Sequence, residues 1–145
     1  MAYLTSANSE FMLSINDLYP VPQKLEGYSS DDAFTTDAVA ATETQVGVDG
    51  FVGHGFVFNV VKQNIVLQAN SPSLRIFEDW YNAMQAAREV YECSAVILLP
   101  SVRKKYTLTE GTLAETTLIL GAKKILEPAR FTISWASSKI VAEDY

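Results

Sequence analysis

Hydrophobic and polar residues alternate over much of this chain, which is typical of half-buried β-strands. The segment from Phe131 to Trp135 alternates strictly, and the segment from Glu10 to Asn16 shows the same period. The other segments predicted as strands are 38–46, 51–68 (one long strand, or two broken near Gly53 and Gly55), 94–99, 102–108 and 113–120. The sequence therefore predicts about seven strands, antiparallel because their connections are short.

Turn-forming residues separate these segments. Gly47-Val48-Asp49-Gly50 predicts the tight turn of a hairpin, in which Asp49 and Gly50 tolerate a left-handed backbone. Glu110-Gly111 predicts a second turn, and Pro20 and Pro22 confine the strand near them to an edge or a strand start. These turns are conformational requirements of the fold and do not by themselves indicate binding sites.

One segment changes to the period of a helix. Ser71 can accept a backbone N–H as an N-cap, and Pro72 fits the first helical position, where no donor is needed. Larger side chains then recur at three- and four-residue spacing, at Leu74, Phe77, Tyr81, Met84, Arg88 and Tyr91, with Trp80 beside them. The pattern predicts one amphipathic helix of about 20 residues ending near Glu92. We expect it to brace the sheet, with Phe77, Tyr81 and Met84 buried.

The predicted fold class is mainly β: an antiparallel β-sandwich or open barrel of about seven strands with one flanking α-helix. The 145 residues suit a single domain. We expect residues 1–9 to form an N-terminal arm and residues 26–37 an extended loop, which Tyr28 and Phe34 would anchor.

Composition narrows the class of protein. Hydrophobic residues make up 48% of the chain and charged residues 19%, which is typical of a globular domain. The longest aliphatic run, 95–99, is far shorter than a membrane-spanning helix, and no basic residue precedes Lys24. We therefore expect no membrane contact and no signal peptide, and a protein made and kept in a cytoplasm.

Chemistry-bearing residues are few. Cys93 is the single cysteine and His54 the single histidine, so we expect a buried thiol and no catalytic triad. No glycine-rich phosphate loop or nucleophile elbow is present in the sequence. We expect no catalytic residue, no cofactor and no metal site.

Charge is distributed unevenly along the chain. Residues 1–61 contain eight acidic residues and one basic residue, whereas residues 62–145 contain nine and ten. Such a chain can complement a copy of itself, although ordinary solvated surface charge explains the same distribution. The charged candidates for such contacts are Glu26, Asp31, Asp32, Asp37, Glu43, Asp49, Arg103, Lys104, Lys105, Lys123 and Lys124. A sequence pI near 4.7 disfavours nucleic-acid binding.

From about residue 25 to residue 136 the sequence resembles the tail tube proteins of contractile-tailed bacteriophages. The segments that carry the resemblance follow one another in order and spacing: 27–35, 47–52, 65–68 leading into 70–73, and Pro128 before 131–135. The resemblance implies a β-barrel-like subunit with one helix, six copies to a ring, and rings stacked into a hollow tube through which DNA passes without specific binding.

The same resemblance implies the partners and the location. The subunit would contact copies of itself, a tail sheath protein, a tape measure protein, a baseplate hub and a tail terminator, in a virion tail assembled in the host cytoplasm. It implies no catalytic residue. On this resemblance the same charged candidates lie at subunit contacts or on the channel wall. We expect most of the basic residues at subunit or ring contacts, facing acidic residues of a neighbour, because basic residues on the channel wall would retain DNA. Some of the acidic residues between Glu26 and Asp49 would remain to line the channel.

Other functions stay open at this point. A carrier of a small ligand with a lipocalin-like barrel would be monomeric and would have a closed apolar pocket. Within the tube class, a type VI secretion tube, a bacteriocin tail, another contractile injection system or a non-contractile phage tail uses a similar subunit.

Overall fold

Strands and one α-helix make up the fold, and the computed structural model describes residues 7–28 and 33–145. In chain order the elements are β1 (Glu10–Ile15), β2 (Tyr19–Lys24), β3 (Phe34–Thr36), β4 (Thr42–Val46), β5 (Val52–Phe56), β6 (Val60–Leu67), α1 (Leu74–Ala87), β7 (Cys93–Leu99), β8 (Lys104–Thr116), β9 (Ala129–Ala136), a 3-10 turn (Ser137–Lys139) and β10 (Ile140–Asp144). The predicted class, mainly β and antiparallel with one helix, is confirmed.

Eight strands form one continuous antiparallel sheet in the order β2-β1-β7-β8-β9-β6-β3, with β10 paired to β8. The other two, β4 and β5, pair only with each other. Phe11 on β1 and Phe34 on β3 meet edge to face at 5.4 Å, although their strands lie near opposite ends of that order. The sheet therefore folds over on itself into an open sandwich.

The core lies between the two halves of the folded sheet and under the helix. Every second side chain of a strand points into this core. In β1 these are Phe11, Leu13 and Ile15, which are fully buried. The Phe77 ring of α1 stacks on the Phe131 ring of β9, with 4.1 Å between centroids. Burial of side chains of this size stabilises a fold by about 1.5–3 kcal/mol each, so the helix is an integral part of the core.

The segment predicted as a turn at Glu110-Gly111 is instead a bend inside β8. Residues 104–108 of β8 pair with β7 and β10, whereas residues 112–116 pair with β9. Glu110 has a φ of 56° at the bend. A Cβ on Gly111 would lie 2.5 Å from the Trp135 ring, so only glycine lets this ring fill the corner of the sheet.

The helix is shorter than predicted at both ends. It begins at Leu74 after an N-cap position at Ser73, two residues later than predicted, so Pro72 precedes the helix. The predicted acceptance of a backbone N–H by Ser71 is nevertheless present. The Ser71 hydroxyl accepts the Ser73 N–H at 3.2 Å and donates to the Glu26 carbonyl at 2.5 Å. Its role is therefore to tie the turn before the helix to the chain leaving β2.

At its C-terminal end the helix stops at Ala87. Arg88 adopts a left-handed conformation with φ 55°, and its N–H bonds the Met84 carbonyl. The helix therefore does not reach Glu92. Phe77 is buried as predicted, whereas Tyr81 and Met84 are only half-buried. The buried residues of the helix are Leu74, Ile76, Phe77 and Trp80.

The remaining differences concern strand boundaries. The stretch 51–68 is broken at residues 57–59, between β5 and β6, and not near Gly53 or Gly55, which both lie inside β5. The strand predicted at 113–120 is the last part of β8, which ends at Thr116. Strands β3 and β10 were missed, because β3 has three residues and β10 ends in two acidic residues at the sheet edge.

The predicted loop at 26–37 contains β3, and Tyr28 bridges to Leu67 while its ring lies 5.9 Å from that of Phe34. Both aromatic residues therefore anchor this segment, as predicted. Burial raises the pKa of Tyr28 above its ordinary value. Among the described residues, the single helix is too short and too polar to cross a membrane.

Candidate assembly surfaces

A hairpin projects from the folded sheet, and no other described part of the chain covers it. It comprises residues 37–56, here called the exposed hairpin, and every one of its residues is exposed to solvent. Strands β4 and β5 pair from Thr42↔Phe56 to Val46↔Val52. The strand predicted at 38–46 therefore corresponds to β4 (Thr42–Val46), and no described residue of the chain buries it.

The tip of the exposed hairpin is well defined by its own hydrogen bonds. The Gly47 N–H donates to the Phe51 carbonyl at 2.8 Å, and the Gly50 N–H donates to the Gly47 carbonyl at 2.9 Å. Gly50 has a φ of 84°, as the predicted turn requires. The Asp49 carboxylate accepts the Phe51 N–H at 3.1 Å. Asp49 therefore shapes the turn in addition to carrying charge.

The base of the exposed hairpin is fastened to the sheet at Asn59. Its backbone N–H donates to the Ser137 hydroxyl at 3.1 Å, and its carbonyl accepts the Ser137 N–H at 3.0 Å. Its side-chain amide donates to the Ala40 carbonyl. The hairpin therefore leaves the molecule at the end of the sheet where β6 begins and β9 ends.

The exposed hairpin combines apolar side chains with negative charge. Phe51 is 80% exposed and Phe56 is 74% exposed, and Val48 at the tip is fully exposed. The hairpin contains three acidic residues and neither lysine nor arginine. Exposed apolar residues grouped in this way mark an interaction surface.

The basic cluster at 103–105 lies beside acidic residues of its own chain. Strand β10 runs along β8 so that Lys104 faces Asp144 and Lys105 faces Glu143. The Lys104 ammonium lies 2.7 Å from the Asp144 carboxylate, and this hydrogen bond raises the pKa of Lys104. Arg103 occupies a turn with φ 54°. Of this cluster, Lys104 is therefore neutralised within the subunit.

The second basic cluster lies on the segment that joins β8 to β9, here called the 117–128 loop. The loop is held in shape by its own backbone, since the Glu127 N–H donates to the Gly121 carbonyl at 2.8 Å and Ala122 bridges to Leu126. Lys123 pairs with Glu127 at 3.0 Å. Lys124 makes no ion pair with any carboxylate in the described part of the chain.

An open groove of about 750 Å³ runs between the 117–128 loop and the end of β6. It is lined by Gln68, Ala69, Asn70, Lys123, Lys124, Ile125, Leu126 and Pro128. Ile125 is 82% exposed, and Ile119 on the same loop is 86% exposed. The groove thus combines exposed apolar side chains with positive charge, which is the converse of the exposed hairpin.

The other acidic candidates do not form a common site. Glu26 is exposed, and its backbone N–H donates to the Ser73 hydroxyl at 2.8 Å. Asp37 and Glu43 lie on the exposed hairpin. Asp31 and Asp32 lie outside the described residues.

Reactive chemistry finds little support in the geometry. Cys93 is fully buried, and burial raises the pKa of its thiol. His54 lies on β5 with its Nδ1 2.9 Å from the Thr44 hydroxyl. Within residues 7–28 and 33–145, no three histidine, cysteine or acidic side chains gather as metal ligands. No catalytic constellation is formed by these residues.

A cavity of about 270 Å³ opens between the two halves of the sheet, near Phe34, Gln63 and Ile140. Pockets for small ligands usually measure roughly 300–1,000 Å³ and enclose most of the ligand. The buried Gln63 side chain accepts the Trp135 indole N–H at 3.0 Å and is therefore satisfied within the protein. This cavity gives little support to the carrier alternative.

The apolar residues of these surfaces were missed as contact candidates. In the sequence, Val48, Phe51 and Ile125 have the same composition and spacing as residues of a core strand. One signal was available: no lysine or arginine stands between Lys24 and Lys62, so a long segment is acidic and apolar at once.

Three solved structures have a similar fold over nearly the whole chain. A chain from the baseplate of the anti-feeding prophage aligns with a TM-score of 0.57 and 11% identity, covering 99% of this chain and 97% of that one. A chain from the tube-terminating cap of the same particle has a TM-score of 0.54 and 11% identity, with coverages of 93% and 88%. A chain from the sheath-tube complex of PVC, an extracellular contractile injection system, has a TM-score of 0.52 and 12% identity, with the same coverages of 93% and 88%. At these identities the likeness is one of fold.

No curated protein sequence is significantly similar to this chain. A protein-family model described as "Tail fiber protein gp32" matches residues 3–139, which is nearly the whole sequence. On this match, the chain belongs to the tail fiber protein gp32 family.

Proposed function

We propose that this protein is a structural tail subunit that assembles with copies of itself into hexameric rings, which stack into a hollow inner tail tube for the passage of DNA. Its membership of a tail protein family supports the tail-associated part of the proposal. The fold it has in common with chains of contractile injection systems supports the ring-forming part.

The observation that carries the proposal is the exposed hairpin. An isolated two-stranded hairpin is marginally stable in water, because it has no third strand or helix on which to bury a face. Here twenty consecutive residues are exposed, including Val48, Phe51 and Phe56. A neighbouring subunit that covers this surface would bury these side chains.

The sheet edges support self-assembly in the same way. Among the described residues, β10 pairs only with β8 and β3 pairs only with β6, so each has one edge without a strand partner there. Closing sheets across neighbouring subunits removes such edges. Contacts between unlike surfaces of identical subunits build rings and stacks.

The negative net charge of the chain is compatible with a channel for DNA. Six copies of a chain with a net charge of −6 carry −36, and an acidic channel wall repels phosphate so that DNA slides. We propose that acidic residues in excess of those at subunit contacts line the channel. The protein would act without catalysis, cofactor or metal.

The proposed partners are those of an inner tube. They are further copies of the chain, a tail sheath protein, a tape measure protein, a baseplate hub and a tail terminator, in a virion tail assembled in the host cytoplasm. A tube subunit of a related contractile injection system is the second candidate, and the fold is equally compatible with it.

Assembly of the purified protein tests the proposal. We expect rings or rods by negative-stain electron microscopy and fast-sedimenting species at tens of micromolar. The variant with Val48→Asp and Phe51→Asp should have unchanged thermal stability, because both side chains are exposed, and should fail to assemble. The matched control is Val21→Asp, an exposed valine on β2.

A compact 16 kDa monomer at these concentrations would contradict the proposal and favour the carrier. Assembly of the hairpin variant at the rate of the unmodified protein would contradict the role of the exposed hairpin.

A further inference from the structure

The exposed hairpin and the groove beside the 117–128 loop lie at opposite ends of the same strand pair. β6 and β9 pair from Val60↔Ala136 to Leu67↔Ala129. The hairpin is fastened at Asn59, just before the first of these pairs, and the groove begins at Gln68, just after the last. Seven steps along a strand separate the two ends by about 24 Å.

We infer that the tip of the exposed hairpin of one copy docks in the groove of a second copy, with Val48 against Ile125 and with the carboxylates of the hairpin near Lys124. This rests on the proposed function, since it names the surface that receives the hairpin in the assembly. The occupant is a second copy of this chain.

Charge complementarity is the first argument for this pairing. The charged residues of the exposed hairpin are all acidic, whereas the groove contains two lysines. Of the two lysines in the groove, Lys123 is engaged by Glu127, whereas Lys124 has no ion pair with a described residue. The cluster at 103–105 is a weaker candidate, because Lys104 and Lys105 already face carboxylates of β10.

Apolar complementarity is the second argument. The tip presents Val48 and Phe51, and the groove presents Ile125 and Leu126, all exposed in the single chain. The lining is too open to enclose a small molecule, whereas a protein segment lying in it covers both sets of side chains together. Burial of apolar surface drives most protein–protein association.

The opposite placement of the two surfaces determines the kind of assembly. A protrusion at one end and its receptor at the other give a heterologous, head-to-tail contact. When two copies meet, one hairpin and one groove remain free. Each added copy presents a new free hairpin or a new free groove. The direction of β6 and β9 would then follow the direction of growth.

Disulfide cross-linking tests the contact directly. In the variant with Val48→Cys and Ile125→Cys, we expect oxidation of assembled protein to give a ladder of covalent multimers on a non-reducing gel. Cys93 is fully buried and does not compete. The matched control joins Val48→Cys to Val21→Cys, an exposed valine outside the groove, and should give no ladder.

A charge exchange provides the second measurement. Glu43→Lys and Lys124→Glu should each slow assembly at least several-fold, and the double variant should recover most of the rate. Both residues are exposed and neither has an ion pair with another described residue, so neither change should alter thermal stability.

The outcomes separate this inference from the proposed function. Rings or rods that form without a ladder, or a double variant no faster than the single ones, would overturn the docking site and leave assembly standing. A cysteine variant and an unmodified protein that both stay monomeric would overturn the proposed function and the docking site together.

Discussion

Gly50 provides the backbone conformation that closes the exposed hairpin. Its φ of 84° lies in the left-handed region, which residues with a Cβ adopt only at a cost. A Cβ at this position would meet no neighbouring atom, so the cost is conformational and not steric. The requirement for glycine at the tip is therefore local, and it holds whether or not a partner is bound.

Gly50→Val should destabilise the tip of the hairpin by about 1 kcal/mol or more, because a β-branched side chain is strained at positive φ. The expected result is a local loss of amide protection in the hairpin and slower assembly. The matched control is Gly53→Val on β5, which has open space and no positive φ. Equal behaviour of the two variants in hydrogen exchange would contradict the assignment of the turn.

At the scale of elements, α1 is attached to the sheet by aromatic stacking and at its start by serine hydroxyls. Phe77 stacks on Phe131 at 4.1 Å, and the Trp80 indole N–H donates to the Tyr91 carbonyl at 3.0 Å. Ser71 and Ser73 bond the backbone of Glu26. The helix therefore braces the sheet through its first three turns and leaves its last turn exposed.

Phe77→Ala should lower the free energy of unfolding by about 3–5 kcal/mol, because it removes a fully buried ring and leaves a cavity against Phe131. Chemical denaturation monitored by circular dichroism measures the change. Gln85→Ala, at an exposed position of the same helix, is the control and should be neutral. A stable Phe77→Ala protein that still fails to assemble would mean that this face is a docking surface.

For the whole molecule, the arrangement of charge matters more than the total. The net charge of −6 disfavours association, yet the acidic hairpin and the groove with Lys124 are separated along β6 and β9. Complementary patches of this kind mainly raise the rate and fix the register of association. Repulsion between copies is thus weakest in one orientation.

Assembly should therefore depend on salt in a characteristic way. Raising the ionic strength from about 0.1 M to about 1 M shortens the Debye length from about 10 Å to about 3 Å, which screens the attraction between exposed charges. We expect slower growth of assemblies, followed by light scattering. Lys124→Ala should reduce this dependence, whereas Arg75→Ala, on the exposed side of α1, should not. Growth that accelerates equally with salt in all three proteins would indicate a purely apolar contact.

Local sequence patterns were sufficient to predict the elements whose pattern repeats over short distances. Alternation predicted β1 to within one residue and the central five of the eight residues of β9, because neighbouring side chains of a strand point to opposite faces. Gly50 was predicted at the turn because few other residues adopt its backbone conformation. The acidic and basic clusters were also visible, since charge is read directly from composition.

Which apolar residues are buried depends on contacts between distant parts of the chain. Phe51 and Phe131 look alike in an alternating sequence, yet one is exposed on the hairpin and the other is buried under α1. The bend at Gly111 likewise exists because Trp135 fills the corner, a contact that joins residues distant along the chain. Burial depends on whether a second surface is present, and local sequence does not specify that surface. The helix likewise ends at Ala87, where Arg88 turns into the left-handed conformation, although the periodic pattern continues to Tyr91.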